Sequence, residues 1–236
     1  WSQSDGTRFN IWANRFIAGG GWGGAQMIES NTGDTYYPRI GVSADGSGSG
    51  VAIWSQWDGM RYNILANHYT GGIGWGTASF IEVGNQATYS PQIAVDSDGN
   101  ATTVWEYWEN FILSRRYTAS TFDTWSWGAP TPIKADSAGD VSHPHVAVDD
   151  YGNTVAAWRQ WDGTHYRIFA SHDIPGITGR SWRTAALVGT SLGYAWPPQV
   201  AMSGYRNTIV VWSQWDGTRY SIFANHYNET SGWGPA

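Results

Sequence analysis

Tryptophan recurs along this chain at an almost fixed interval. Trp1, Trp54, Trp105, Trp158 and Trp212 stand 53, 51, 53 and 54 residues apart, and each opens a similar stretch of sequence. A period of this length means that one supersecondary unit is repeated and that each copy buries its apolar face against the next. The 236 residues therefore read as one domain of mutually dependent units, 1–53, 54–104, 105–157, 158–211 and a partial 212–236. Length alone would have admitted two domains. Repetition also weighs against an enzyme, because repeats duplicate surfaces more readily than they build one asymmetric catalytic constellation.

Aligned, the units resolve into four short segments of β character. The first is led by proline: Pro38-Arg-Ile-Gly-Val42, Pro91-Gln-Ile-Ala-Val95, Pro144-His-Val-Ala-Val148 and Pro198-Gln-Val-Ala-Met202. Proline is tolerated at the first residue of a strand, where its missing N–H breaks no ladder bond. The small residue between two apolar ones suits a crowded inner strand. Turns such as Asp98-Gly99-Asn100 lead to a second segment that ends on the anchor tryptophan. An Asp-Gly turn (Asp58-Gly59, Asp162-Gly163, Asp216-Gly217) then leads to a third, typified by Tyr62-Asn-Ile-Leu-Ala-Asn67. A glycine-rich loop centred on Trp22, Trp75 or Trp233 precedes the fourth and least patterned segment, such as Ser79-Phe-Ile-Glu-Val83.

Four antiparallel strands per unit predict an all-β fold, a β-propeller of about five four-stranded blades. Proline and β-branched content, with no 3.6-residue periodicity, excludes a helical solenoid. The first blade lacks a proline-led strand and the last stops at Gly234-Pro-Ala236, so both are read as incomplete. The start at Trp1, inside the repeat, suggests a removed leader or a fragment of a longer array.

Composition narrows the partners. Net charge is −6, and among 13 basic residues only Lys134 is a lysine. With no basic stripe, nucleic acid is not an expected partner. No run approaches the ~18 apolar residues of a spanning helix, so no membrane insertion is expected. The absence of cysteine removes disulfides and thiolate sites. Scarce lysine fits either a surface that faces something other than bulk water or a simple preference of the source.

The pattern Trp-Ser-Gln-Trp-Asp-Gly-x-x-Tyr-x-Ile-x-Ala-Asn, then Gly-Trp-Gly, then Pro-Gln-Ile-Ala-Val-Asp-x-x-Gly-Asn, resembles the propeller repeats of bacterial secreted and surface proteins. It covers the whole chain and is distantly similar to sialidase-type and tachylectin-type propellers. Against the sialidase Ser-x-Asp-x-Gly-x-x-Trp box, the spacing from Ser55 to Asp58 is one residue longer, and Tyr62 follows. The resemblance implies an extracellular or cell-surface protein.

Two sets of tryptophans are candidate ligand sites. One precedes the Asp-Gly turns and pairs Trp57 with Asp58, Trp161 with Asp162 and Trp215 with Asp216. Flat sugar faces stack on such rings while nearby polar groups bond the hydroxyls. The second set is Trp22, Trp75 and Trp233 in the glycine loops, where flanking glycines permit either exposure or folding back over the outer strand. The competing and preferred reading of the first set is blade packing, with each Asp shaping its turn. The five anchors are assigned to the core.

Asp96-Ser-Asp-Gly-Asn100 has a faint calcium-loop look but lacks the spacing and terminal Glu of an EF-hand, so it reads as a hairpin. No metal or cofactor is expected. The His143-Pro-His145 pair, with both rings expected on one face, is not taken as a site. The third unit departs from the pattern, with Glu106-Tyr107-Trp108 in place of Ser-Gln-Trp and Arg115-Arg116 in place of Asn-His. The recurring carboxylates sit in separate blades rather than as an acid–base pair, so no catalytic residue is assigned. The expected function is a non-enzymatic extracellular interaction module with multivalent glycan or surface-ligand sites. The alternative is a structural subunit that assembles as a homo-oligomer or polymer through its incomplete end blades.

Overall fold

The computed structural model describes residues 1–30, 32–82, 84–108, 110–119, 126–133, 139–176, 179–190 and 193–236. Val83, Glu109 and Lys134 lie outside them. The described residues build successive antiparallel sheets, one per blade, with a further two-stranded sheet of Phe16–Ile17 and Gly21–Trp22 in the first. In the second blade the inner strand Thr35–Val42 pairs with Gly50–Trp57, which pairs with Tyr62–Thr70. The outer layer is split, with Gly74–Trp75 and Ser79–Phe80 both pairing with Tyr62–Thr70. The third and fourth blades repeat this order from Thr88–Val95 and Val141–Val148. The first has Ser2–Ser4, Phe9–Ala13 and Gln26–Met27, and the fifth has Gln199–Ser203, Asn207–Trp215, Tyr220–Asn228 and Gly232–Trp233. The Gly-Trp loops are thus themselves two-residue strands. No helix among the described residues is long and apolar enough to cross a membrane.

The prolines sit differently from expectation. In the second, third and fourth blades the inner strand begins three residues before its proline, and the register skips at Tyr36/Arg39, Tyr89/Gln92 and Ser142/His145; in the fifth, Gln199–Ser203 begins directly after Pro198 with no skip. Tyr37, Ser90 and His143 take φ of 55°, 52° and 52° there. Pro38, Pro91 and Pro144 therefore occupy an interior β-bulge, where no ladder bond is asked of the proline nitrogen, whereas Pro198 stands just ahead of its strand as expected. The same bulge breaks the strict alternation assumed for His143 and His145. His143 faces Glu106 of the third blade, 3.7 Å away, whereas His145 Nδ1 accepts the Val200 N–H of the fifth.

The core lies between blades. Trp54 shares a buried cluster with Ile11 and Ile28 of the blade before it, Trp105 with Ile64 and Ile81, Trp158 with Ile112 and Ile133, and Trp212 with Ile168 and Val188. Isoleucine from the third strand and a β-branched residue just after the outer strand thus form the floor on which the next blade's indole rests. The core assignment fails for Trp1, which is 49% exposed because no blade packs on its face among the described residues. At the far end Ile222, the counterpart of Ile11 and Ile64, is 77% exposed.

Burying an indole leaves its N–H in need of an acceptor. Glutamine two residues on supplies it: Trp54 Nε1 donates to Gln56 Oε1 at 3.0 Å, Trp158 to Gln160 at 3.2 Å and Trp212 to Gln214 at 2.8 Å. Residues i and i+2 share a strand face, so the spacing is that of the pleat. Gln56 then donates to Glu29 Oε2 of the first blade at 3.2 Å, and Arg8 holds the other oxygen at 3.1 Å. The third blade has Tyr107 in place of this glutamine. Trp105 Nε1 and Glu82 Oε2, both buried, have no hydrogen-bond partner among the described residues. Burial also pushes the Glu82 carboxyl above its usual range, against the opposing pull of Arg61.

A second staple joins the blades. Asn67 Nδ2 donates to Ile28 O and Gly76 O, and Asn225 Nδ2 donates to Val188 O at 2.8 Å. In the third blade Arg115 makes the same two connections, to Ile81 O and Gly128 O, both at 2.6 Å. The divergent Arg115 thus preserves the junction.

Replacing Gln160 with Met should strand the Trp158 N–H and cost ~1–3 kcal/mol. Trp158→Ala should cost more, about 3–5 kcal/mol, through lost burial. Tyr107→Gln should instead stabilise, by giving Trp105 an acceptor and Glu82 a donor. Denaturant unfolding with an unchanged m-value checks all three.

Candidate functional site

The Asp-Gly turns carry the first set of candidates. Asp58 Oδ1 accepts the N–H groups of Met60 and Arg61 at 2.7 and 2.9 Å, while Oδ2 accepts Asn63 Nδ2 at 2.8 Å. Asp216 repeats the arrangement, with Thr218 and Arg219 on Oδ1 and the Ser221 hydroxyl on Oδ2. In Asp162, Oδ1 takes Thr164 and His165 while Arg167 pairs with Oδ2. The glycine that follows takes φ of +102°, +101° and +103° at Gly59, Gly163 and Gly217, a region only glycine enters freely. These carboxylates are engaged inside their own turns. The Asp216 carboxyl is held far below its usual range, first by the Ser221 hydroxyl and then by Thr218. Burial pulls the Asp162 carboxyl upward, but the bonds from His165, Thr164 and Arg167 prevail and lower it.

The neighbouring tryptophans are held edge-on across the hairpin. Trp57 stands opposite Tyr62 with centroids 5.2 Å apart, Trp161 opposite Tyr166 at 5.4 Å and Trp215 opposite Tyr220 at 5.5 Å. Such T-shaped pairs fix the orientation of the ring, and at Trp161 a second tyrosine, Tyr194, stands 6.1 Å away. At the junction of the first two blades Trp57 lines a cavity of about 310 Å³ together with Phe80, Ser30, Thr32, Gln56 and Asp58. Two aromatic rings, two hydroxyls and a buried carboxamide converge there. The glutamine behind the cavity is the one that links Trp54 to Glu29.

The second set behaves differently. Trp75 and Trp233 are half-buried and fold onto their own third strands, against Tyr69 and Tyr227, both at 5.4 Å, rather than over the outer strand. Trp22 is 70% exposed and rests edge-on against Phe16 at 5.5 Å. Trp22, Trp75, Phe16, Tyr69 and Arg15 line a larger cleft of about 560 Å³ between the first two blades. The two sets lie at opposite ends of the second strand. The structure does not bring them into one site.

The calcium-like segment is a turn. Asp96 Oδ1 accepts the N–H groups of Asp98 and Asn100, and Oδ2 pairs with Arg116 at 3.1 Å. Sequence reading missed Ser30, Thr32, Gln56 and Phe80. Only the glutamine carried a signal, its recurrence two residues after the anchors at Gln3, Gln56, Gln160 and Gln214.

No family model matches the chain, and no curated protein does. Among solved structures, the six-bladed β-propeller lectin of Aleuria aurantia superposes over 98% of this chain and 70% of its own, with a TM-score of 0.57 at 12% identity. A point mutant of that lectin in complex with Fucα1-6GlcNAc gives 0.56 at 11% identity. The intramolecular trans-sialidase of Ruminococcus gnavus superposes over 94% of this chain and 51% of its own, with a TM-score of 0.52 at 10% identity. At such identities the likeness establishes the β-propeller fold alone.

Stability should fall with acid in two stages. Burial holds the His172 imidazole down to about 4, so its contribution is full above its unfolded value of ~6.5 and declines as pH falls toward 4. The depressed turn aspartates, Asp162, Asp216 and their first-blade counterpart Asp5, whose Oδ1 accepts the Thr7 and Arg8 N–H groups, contribute above their unfolded value of ~3.9 and lose that contribution below it. In thermal scans His172→Gln should flatten the first stage, and Asn at Asp5, Asp162 and Asp216 the second.

Proposed function

We propose that this chain is a non-enzymatic, multivalent carbohydrate-binding propeller that works outside the cell or at its surface. The observation that carries this reading is the cavity beside Trp57. It combines the Trp57 indole, held edge-on by Tyr62, with a second ring at Phe80 and the hydroxyls of Ser30 and Thr32. An apolar sugar face stacks on the indole while its hydroxyls meet neutral donors and acceptors. The Trp–Tyr clip recurs at Trp161 and Trp215, where Tyr194 stands against the first ring and Gly193 packs beside the second, and several weak sites on one rigid scaffold add avidity. The engagement of Asp58, Asp162 and Asp216 inside turns supports binding over hydrolysis, and the likeness in fold to a lectin is in keeping with it. Asp58, Asp162 and Asp216 serve in this reading as supports for the adjacent tryptophans.

Glycan-array screening followed by titration calorimetry tests the proposal. Trp57→Ala should weaken binding at its site roughly tenfold while leaving the fold intact. Absence of any saccharide binding above background would overturn it.

A second reading, end-to-end association of copies, is favoured by one observation. Ile209, Val211 and Ile222 are exposed in the fifth blade, whereas their counterparts Val51, Ile53 and Ile64 are buried under the third. Light scattering that shows concentration-dependent assembly, abolished by Ile222→Asp, would support it; a monomer at every concentration would sink it.

A further inference from the structure

The hairpin joining the inner and second strands of the fifth blade departs from its counterparts. In the third and fourth blades Asp96 and Asp149 cap this turn, and Gly99 and Gly152 supply the left-handed residue, with φ of 83° and 71°. In the fifth blade Ser203-Gly-Tyr-Arg-Asn207 replaces that design. Arg206 stands where the others have glycine and takes φ of 61°, and Tyr205 beside it also takes φ of 61°. Two successive side-chain-bearing residues in this region are held against their own steric preference. The turn would close more easily with glycine.

Tyr205 is 77% exposed and stands against Tyr151 of the fourth blade, 63% exposed, with ring centroids 5.6 Å apart. Arg206 turns back into the junction, where Nη1 donates to Glu229 Oε1 at 2.7 Å. Glu229 is held in addition by the Tyr227 hydroxyl at 3.2 Å and Arg183 at 3.6 Å. Tyr151, Asn153, Tyr205, Arg206 and Glu229 enclose a cleft of about 450 Å³. That is within the range of roughly 300–1,000 Å³ found for small-molecule sites. The equivalent cleft between the second and third blades, about 240 Å³, is walled instead by Ser43, Ser47, Ser49, Asp45 and Asp98.

We infer that this cleft is a second ligand site, distinct from the Trp57 cavity, that takes a neutral pyranose ring. The two tyrosines supply a wall for the apolar face of the ring. Arg206 and Glu229 supply a fixed donor and a fixed acceptor for adjacent hydroxyls at its edge. Charge selects a neutral ligand: Arg183 and Arg206 both pair with Glu229, and the Asp149 carboxylate, whose Oδ2 accepts the Arg206 backbone N–H at 3.4 Å, lies beside them. Asp150, next to Tyr151 in the chain, tips the balance further against an anion. The site shares its ligand class with the function proposed above but none of its residues. Trp161 and Tyr151 lie at opposite ends of the strand Thr154–Trp161, a separation on the order of 25 Å for its length.

Amide and indole NMR titration of the whole chain with a panel of neutral methyl pyranosides reads both sites at once. Saturable shifts are expected at Tyr151, Tyr205 and Arg206, independent of those at the Trp57 indole. Arg206→Gly is the decisive variant, because glycine suits the left-handed position and the protein should fold at least as well. Its thermal midpoint should be unchanged or higher, while binding at the cleft weakens roughly tenfold through loss of a charge-assisted hydrogen bond. Tyr151→Ala should weaken binding there and leave the Trp57 shifts intact. Shifts at Trp57 with none at Tyr205 at millimolar sugar would overturn this inference alone, and the reverse would overturn the Trp57 site alone. Unchanged binding at the cleft by the Arg206→Gly variant would also overturn it.

Discussion

One interaction organises this molecule: an indole buried at each blade junction whose N–H is satisfied from within its own strand. Trp54, Trp158 and Trp212 rest on the isoleucine and valine floor of the blade before and donate to a glutamine two residues on. The glutamine's remaining donor connects to a neighbour, reaching Glu29 in one junction and Gly193 O in another. Apolar burial thus comes with its polar requirement met, and the same residue sets both the packing and the register of the next turn. The Trp57 cavity is built on that glutamine, so the candidate site borrows its rigidity from the core.

The third blade shows what the arrangement is worth by lacking it. With Tyr107 in the glutamine's place, Trp105 loses its acceptor and Glu82 its donor at the same junction. The blade nonetheless keeps its place between its neighbours, because the apolar cluster around Trp105 is intact and Arg115 reproduces the backbone staple made elsewhere by asparagine. Dispersion and burial hold the blade; the hydrogen-bond network refines it. The divergence at Arg115 preserves the junction, and the divergence at Tyr107 loosens it.

Much of the fold was legible in the chain, and the candidate site less so. The Asp-Gly turns and proline-led segments marked the strand order because turn chemistry is local. The bulge at Tyr37-Pro38 was not legible, since a positive φ on a tyrosine is imposed by the paired strand and not by the residue. Trp57 was identified from its place beside a turn, but Ser30, Thr32 and Phe80 come from other segments of the repeat and meet it only in the folded blade. The glycine-loop tryptophans carried a local signal for exposure, and cross-strand tyrosines decided where they went.

The sequence by itself determined the repeat, the four-stranded blade and the anchors, because each follows from periodicity and from residues adjacent along the chain. Only the tertiary structure decided which tryptophans are free, which carboxylates are consumed by turns, and which junctions enclose a cleft. Those depend on side chains about fifty residues apart being pressed together across a blade interface. Trp1 and Trp54 carry the same local pattern, yet one is exposed and the other buried, because burial belongs to the neighbour that packs on a residue.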